Sequence, residues 1–79
     1  MRILDENTDK SLENITLYLT LSEAMELRGS LNELIENPKN NHTHINDENY
    51  QKELTVCIYS TEDLNGFNTR SIDLILNNK

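Results

Sequence analysis

Residues 14–38 read NITLYLTLSEAMELRGSLNELIENP, and this stretch decides the predicted fold. From Ile15 to Leu21 every second residue is apolar, which is the period of a β-strand with one buried face. After Thr20 the apolar residues recur at intervals of three and four, which is typical of an amphipathic helix. The stretch therefore predicts a strand that runs directly into a helix.

The start and the end of this helix are marked by capping and breaking residues. Thr20 and Glu23 match the capping box, in which a hydroxyl and a carboxylate accept hydrogen bonds from backbone N–H groups at a helix start. Ser22 is a second candidate for the cap. Asn37-Pro38 ends the helix, because proline disfavours a helical residue before it and has no N–H to donate. We expect the helix to pack on a sheet through the apolar residues Ala24, Leu27, Leu31, Leu34 and Ile35.

Further strands are predicted on both sides of this stretch. His42–Asn46 and Glu53–Ser60 each alternate apolar and polar residues, and a short polar loop separates them, which is typical of an antiparallel hairpin. At the amino terminus, Met1–Leu4 is either an edge strand that pairs with Ile15–Leu21 or a flexible arm.

The carboxyl-terminal segment, residues 67–76, fits both the helical period and the strand period. We favour a helix that is capped by Asn68 or Thr69. The elements together predict an α+β protein in which one main helix covers a small sheet of three to four strands, in the order β-α-β-β-α. We expect residues 1–79 to form a single domain, to which residues 1–13 add an edge strand or a flexible arm.

Size and charge limit the classes of partner. The chain has 79 residues and a formal net charge of −7, from 14 acidic residues and 7 Lys and Arg. A domain of this size buries only about 60% of the surface that its unfolded chain exposes. We therefore expect a homo-oligomer or a partner to contribute further burial. The negative charge favours a basic protein partner and argues against nucleic acid, whose phosphates need clustered Lys and Arg.

The sequence also predicts the cellular compartment. It contains neither the apolar run of a signal peptide nor the run of about eighteen apolar residues that a membrane span requires. Its one cysteine, Cys57, cannot form an intramolecular disulfide. Both observations predict a cytoplasmic protein that does not associate with membranes.

One face of the predicted sheet has no acidic or basic side chain. If the apolar residues of the strands face the helix, the opposite face carries Thr16, Tyr18, Thr20, His42, His44, Thr55, Cys57 and Tyr59. In a chain in which 27% of the residues are charged, such a face indicates that another body covers it. That body is the carboxyl-terminal segment, a second copy or another protein, or a small ligand held by the Tyr and His side chains.

The residues offer little for catalysis or metal binding. His42 and His44 project from the same side of a strand, with Asp47 and Glu48 close in sequence, but two imidazoles without a defined third ligand do not specify a metal site. Cys57 lies in mid-strand and is expected to be a partly buried, inert thiol. The sequence has no Gly-rich phosphate loop and no nucleophile elbow. We expect no enzymatic activity, no cofactor and no specific metal.

A resemblance to known families adds a functional expectation. The chain resembles small uncharacterised α+β proteins of Gram-positive bacteria and their phages, and it is similar to immunity proteins of polymorphic-toxin systems, the immunity protein 32 type. The resemblance extends over roughly residues 14–76 and rests on Ile15–Thr20, Ser22–Leu27, Asn37-Pro38, His42–His44 and Leu54–Tyr59. It implies a non-enzymatic protein that binds and neutralises another molecule, and it assigns no role to any single residue.

These observations predict a small acidic binding protein of the inhibitor, immunity or anti-defence type, which occludes a partner through the uncharged sheet face. The residues expected to contact the partner or ligand are Tyr18, His42, His44, Thr55, Tyr59 and Arg70. Arg70 is alternatively a member of a local ion pair with Glu62 or Asp63. The alternative function is sequestration of a small signalling molecule or a metal ion by His42, His44, Tyr18 and Tyr59.

Overall fold

The computed structural model describes residues 1–78 and confirms the α+β class. The two main helices are α1 (Leu21–Glu36) and α2 (Thr69–Asn77). A single turn of 3-10 helix, Pro38–Asn40, follows α1. The strands are β1 (Ile3–Asp5), β2 (Lys10–Leu12), β3 (His42–Asn46) and β4 (Glu53–Cys57).

The strands form two sheets, so the prediction of one sheet with three to four strands is wrong. Strand β1 pairs with β2 and β3 pairs with β4, both in antiparallel orientation. The predicted N-terminal strand is present as β1, but its partner is β2 and not Ile15–Leu21. The predicted hairpin between residues 42–46 and the strand that begins at Glu53 is confirmed.

The prediction of a strand at Ile15–Leu21 is also wrong. Residues 14–20 form neither helix nor strand, and Leu21 is the first residue of α1. An alternating pattern makes a segment competent for a strand, but the strand forms only where a second strand lies beside it. The two observed hairpins close loops of only a few residues, which costs less chain entropy than recruiting a distant segment.

Contacts divide the chain into two compact units. The hairpin unit, as we call it below, is Tyr18–Tyr59 and contains α1, β3 and β4. The terminal unit combines Met1–Leu17 with the part of the chain from Ser60 onward, and it contains β1, β2 and α2. The expectation of a single domain over residues 1–79 stays a prediction.

In the hairpin unit, α1 packs on β3 and covers one face of the β3–β4 sheet. Leu34 and Ile45 form the buried centre, at 2% and 4% exposure. The predicted apolar stripe is wider than the buried one, because Ile35 and Ala24 are exposed. Two strands about 4.8 Å apart are narrower than a helix with its side chains. The sheet therefore covers only part of the stripe.

The terminal unit buries α2 through Leu74 and Ile75. The preference for a helix in the carboxyl-terminal segment is confirmed, and so is the cap at Asn68, whose side-chain oxygen accepts the N–H of Ser71 at 2.8 Å. At the other end of α2, Arg2 Nε donates to the backbone carbonyls of Leu74 and Ile75, at 3.1 and 3.2 Å. Arg2 thereby adds a side-chain donor to two carbonyl groups of the last helical turn, of which that of Leu74 also accepts the N–H of Asn78 at 2.8 Å.

Candidate functional site

The face of the β3–β4 sheet that does not pack on α1 presents an ordered set of polar side chains. In the antiparallel register, His42 lies opposite Cys57 and His44 lies opposite Thr55. The next pair on the same face is Asn46 and Glu53. Residues that lie opposite each other project to the same side of a sheet. We call these six residues, His42, His44, Asn46, Glu53, Thr55 and Cys57, the histidine face.

Most of the histidine face is open to solvent. His42, His44, Glu53 and Cys57 are exposed, whereas Ile45 on the opposite face is buried. Cys57 is thus not the partly buried thiol that the sequence predicts. The two imidazole rings contact each other edge to face, with centroids 5.1 Å apart and an interplanar angle of 74°.

Hydrogen bonds hold both imidazoles in place. His44 Nδ1 lies 2.7 Å from Glu53 Oε1 and 2.8 Å from Thr55 Oγ1. A carboxylate accepts hydrogen bonds, so the imidazole donates through Nδ1, whose single hydrogen is shared between Glu53 Oε1 and Thr55 Oγ1. His42 Nδ1 lies 2.8 Å from the side-chain oxygen of Asn41. Both side chains therefore have a defined orientation before any partner binds.

Glu53 gives the histidine face a charge that was not predicted. The prediction of a sheet face without charge is wrong, because Glu53 lies on it and contacts His44. The sequence contains the signal, since Glu53 stands two residues before Thr55 and has the same strand parity. Asn46 was also missed. It stands two residues after His44 and therefore has the same strand parity.

Three of the six predicted contact residues come together on the histidine face, namely His42, His44 and Thr55. Tyr18 does not belong to a sheet and is 92% exposed, within residues 14–20. Tyr59 lies beyond the end of β4 and is half-buried. Both placements differ from the prediction, because the first predicted strand does not form and β4 ends at Cys57.

Arg70, the sixth predicted contact residue, lies in α2 of the terminal unit and is engaged there. Its Nε donates to Asp9 Oδ1 at 2.7 Å, and its Nη2 donates to the Asp9 backbone carbonyl at 2.8 Å. Asp73 Oδ2 lies 3.6 Å from Nη1. The sequence suggested an ion pair with Glu62 or Asp63, but the partner is Asp9, which is distant in sequence and close in the fold.

An acidic groove lies at the turn end of the hairpin. It has a volume of about 370 Å³ and includes Asn46 of the histidine face. Its lining residues are Ser22, Glu23, Glu26, Asn46, Asp47, Glu48 and Tyr50. Four of these seven residues are acids, so the groove adds negative charge next to the histidine face.

Glu23 gives this groove a fixed shape. The predicted capping box is confirmed: the Glu23 N–H donates to Thr20 Oγ1 at 3.1 Å, and the Thr20 N–H donates to Glu23 Oε1 at 2.8 Å. The second oxygen, Oε2, accepts the N–H of Glu48 at 3.0 Å. The backbone N–H groups of Thr20 and Glu48 hold the pKa of the Glu23 carboxyl below its ordinary value, so this buried acid is charged.

Asp47 organises the turn between β3 and β4. Its Oδ1 accepts the N–H groups of Gln51 and Lys52, at 2.7 and 3.0 Å. These hydrogen bonds lower the pKa of the Asp47 carboxyl, and the one from the Lys52 N–H has the larger effect. Tyr50 takes up a left-handed backbone conformation in this turn, with φ of 54°, and its side chain is 82% exposed. The groove thus has fixed acids on its wall and an aromatic ring open to solvent.

Two further observations concern ligands and membranes. Residues 1–78 contain no group of three or more His, Cys, Asp and Glu side chains placed to hold a metal ion. Within the same described range, no helix combines the length and the apolar character that crossing a bilayer requires.

No family model, no curated protein and no solved structure matches the chain.

Proposed function

We propose that the protein is a small acidic, non-enzymatic binding protein of the cytoplasm, of the inhibitor, immunity or anti-defence type. In this proposal the histidine face occludes a basic surface of a protein partner. The observation that carries the proposal is the pair of fixed, exposed imidazoles on a sheet whose other face packs on α1.

A face of this kind favours protein binding because its side chains are already ordered. Association costs free energy for every flexible side chain that becomes immobilised at an interface. His44 is held by Glu53 and Thr55, and His42 is held by Asn41, so little of that cost remains. Imidazoles also combine an apolar ring with a polar atom, which suits an interface that keeps its hydrogen bonds satisfied.

Charge favours a basic partner. The chain carries a net charge of −7, and both Glu53 and the acidic groove contribute to it in the hairpin unit. Complementary charge steers the approach of a partner and excludes like-charged surfaces. We therefore expect the association rate to fall steeply as the salt concentration rises.

The test uses the full chain and three variants. The tagged protein retains proteins from a lysate of its source cells, and each retained protein is then purified and titrated against the wild type, His44→Lys, Glu53→Lys and Glu62→Lys. Glu62→Lys makes the same charge change as Glu53→Lys but lies in the terminal unit. We expect both histidine-face variants to weaken binding at least about tenfold, because they set a cation against a basic surface.

The proposal requires that Glu62→Lys bind like the wild type within about twofold, a difference of less than 0.5 kcal/mol. It is wrong if all four proteins bind equally, or if Glu62→Lys is weakened as much as Glu53→Lys. It is also wrong if no protein is retained while divalent metal ions or a nucleotide panel raise the melting temperature. That last result would support the sequestration alternative.

A further inference from the structure

Residues 14–20, which read NITLYLT, carry apolar side chains that the chain itself does not bury. Ile15 and Leu17 are 50% and 49% exposed, and Leu19 is 39% exposed. These residues alternate with Thr16 and Tyr18 at the strand period. The segment therefore has the composition and pattern of a strand, but it belongs to neither sheet.

The backbone of this segment is equally unpaired. Across residues 1–78, the structure shows no hydrogen bond from or to the backbone of residues 14–19. The first paired group is the N–H of Thr20, which the Glu23 carboxylate accepts. A row of free N–H and C=O groups beside apolar side chains is a template for pairing with another strand.

The distribution of charge identifies that other strand. Residues 14–22 form the longest run without an Asp, Glu, Lys or Arg in a chain whose net charge is −7. Such a run gives a basic partner no electrostatic advantage. Two copies of this chain repel each other through their net negative charge, and they approach with least repulsion where both are neutral.

We infer that residues 14–20 pair with the same residues of a second copy, in antiparallel orientation about a two-fold axis. With Leu17 on the axis, Leu17 lies opposite Leu17 of the partner subunit, and Ile15 lies opposite Leu19 of the partner subunit. Thr16 then lies opposite Tyr18 of the partner subunit. Opposite residues share a face, so this register places all the apolar side chains of residues 15–19 on one side.

The arrangement is self-complementary, and the two-fold axis closes it at two copies. It explains why the segment keeps a strand pattern although neither sheet of its own chain uses it. The inference is independent of the proposed function, because no residue of the histidine face belongs to residues 14–20.

The test measures the oligomeric state of the full chain by analytical ultracentrifugation, from low micromolar to near-millimolar concentration. We expect a reversible equilibrium between monomer and dimer. Leu17→Glu places two carboxylates next to each other at the axis, so the dissociation constant rises at least about tenfold. Met25→Glu is the matched control, since Met25 is 52% exposed and lies on α1 outside the segment; it dimerises like the wild type.

Circular dichroism of each variant shows whether the fold is retained, and Leu19→Glu replaces Leu17→Glu if the latter does not fold. Isotope-filtered contacts between Leu17 methyl groups of the two copies establish the register directly. The inference is overturned if the wild type is monomeric at every concentration, or if folded Leu17→Glu or Leu19→Glu dimerises like the wild type. A dimer that only His44→Lys disrupts also overturns it, because the interface is then the histidine face.

Discussion

Glu23 Oε2 accepts the backbone N–H of Glu48 at 3.0 Å, and this bond joins the first turn of α1 to the turn between β3 and β4. The other oxygen of the same carboxylate closes the capping box with Thr20. One side chain thus caps the start of a helix and positions a hairpin. Glu23 is 9% exposed, so both tasks depend on a charge that is largely shielded from water.

The hydrogen bonds of Glu23 predict a pH dependence of stability. Its pKa in the folded state lies below the ordinary value of 4.5, so ionisation favours the folded state. This stabilisation is fully present above about pH 4.5 and is lost as the pH falls through the lower folded-state value. The pKa of Asp47 is also lowered, from an ordinary value of 3.8. Its ionisation therefore also stabilises the folded state, and this contribution is lost as the pH falls below about 3.8. We expect Glu23→Gln to be less stable than the wild type at pH 7 and to lose less stability on acidification.

Urea unfolding at several pH values between 7 and about 2.5 measures this effect, with tyrosine fluorescence as the signal. All three tyrosines, Tyr18, Tyr50 and Tyr59, lie in the hairpin unit. Glu33→Gln, at an exposed position of the same helix, serves as the control and keeps the wild-type profile. Equal pH profiles for Glu23→Gln and the wild type contradict the assigned role.

The cap of α1 predicts different effects at two neighbouring hydroxyl residues. Thr20 accepts the Glu23 N–H, so Thr20→Ala loses this bond and costs about 1 kcal/mol. For a domain of this size, that corresponds to a fall in the melting temperature of about 4–8 °C. Ser22 lies within the helix, and Ser22→Ala leaves the melting temperature unchanged or slightly raised because alanine is the better helix former. Calorimetry that finds equal losses for both variants contradicts the position of the cap.

Two adjacent apolar residues of α1 are predicted to differ in their contribution to stability. Leu34 is 2% exposed and Ile35 is 65% exposed, although both belong to the apolar stripe of the sequence. Leu34→Ala leaves a cavity in the core between α1 and β3 and costs about 2–4 kcal/mol of unfolding free energy. Ile35→Ala stays within about 0.5 kcal/mol of the wild type. Chemical denaturation measures both, and a larger loss for Ile35→Ala is the result that contradicts the packing.

The ion pair of Arg70 and Asp9 is predicted to stabilise the terminal unit. A double-mutant cycle with Arg70→Gln and Asp9→Asn isolates their coupling, which we expect to be about 0.5–1 kcal/mol, because Asp9 is exposed and Arg70 is held in two places. Arg28→Gln is the control, since Arg28 forms no ion pair within the described part of the chain. A coupling energy of zero shows that the pair has no stabilising role.

The features that were predicted correctly depend on neighbours in sequence. Thr20 and Glu23 are three residues apart, and a capping box needs only that spacing. The hairpin of β3 and β4 joins strands that are separated by one short loop. Asn68 caps α2 through the N–H of Ser71, again three residues away. In each case the interacting groups are within reach before the rest of the chain folds.

The features that were missed depend on which segments meet in space. The alternation at Ile15–Leu21 is as regular as that at His42–Asn46, but only the second segment has a strand beside it. The ion-pair partner of Arg70 is Asp9, which lies 61 residues away in the sequence. Leu34 and Ile35 have similar side chains, and only packing on β3 separates the buried residue from the exposed one.

The amino-acid order by itself therefore determined the α+β class, the capping box and the proline end of α1, and the hairpin that carries the histidines. Hydrogen bonds between near neighbours and apolar periodicity are sufficient for these. The folded chain decided which strand-competent segments pair, which apolar side chains are buried and where Arg70 meets Asp9. Those outcomes depend on the competition between distant segments for a limited number of partners, and a local pattern contains no information about that competition.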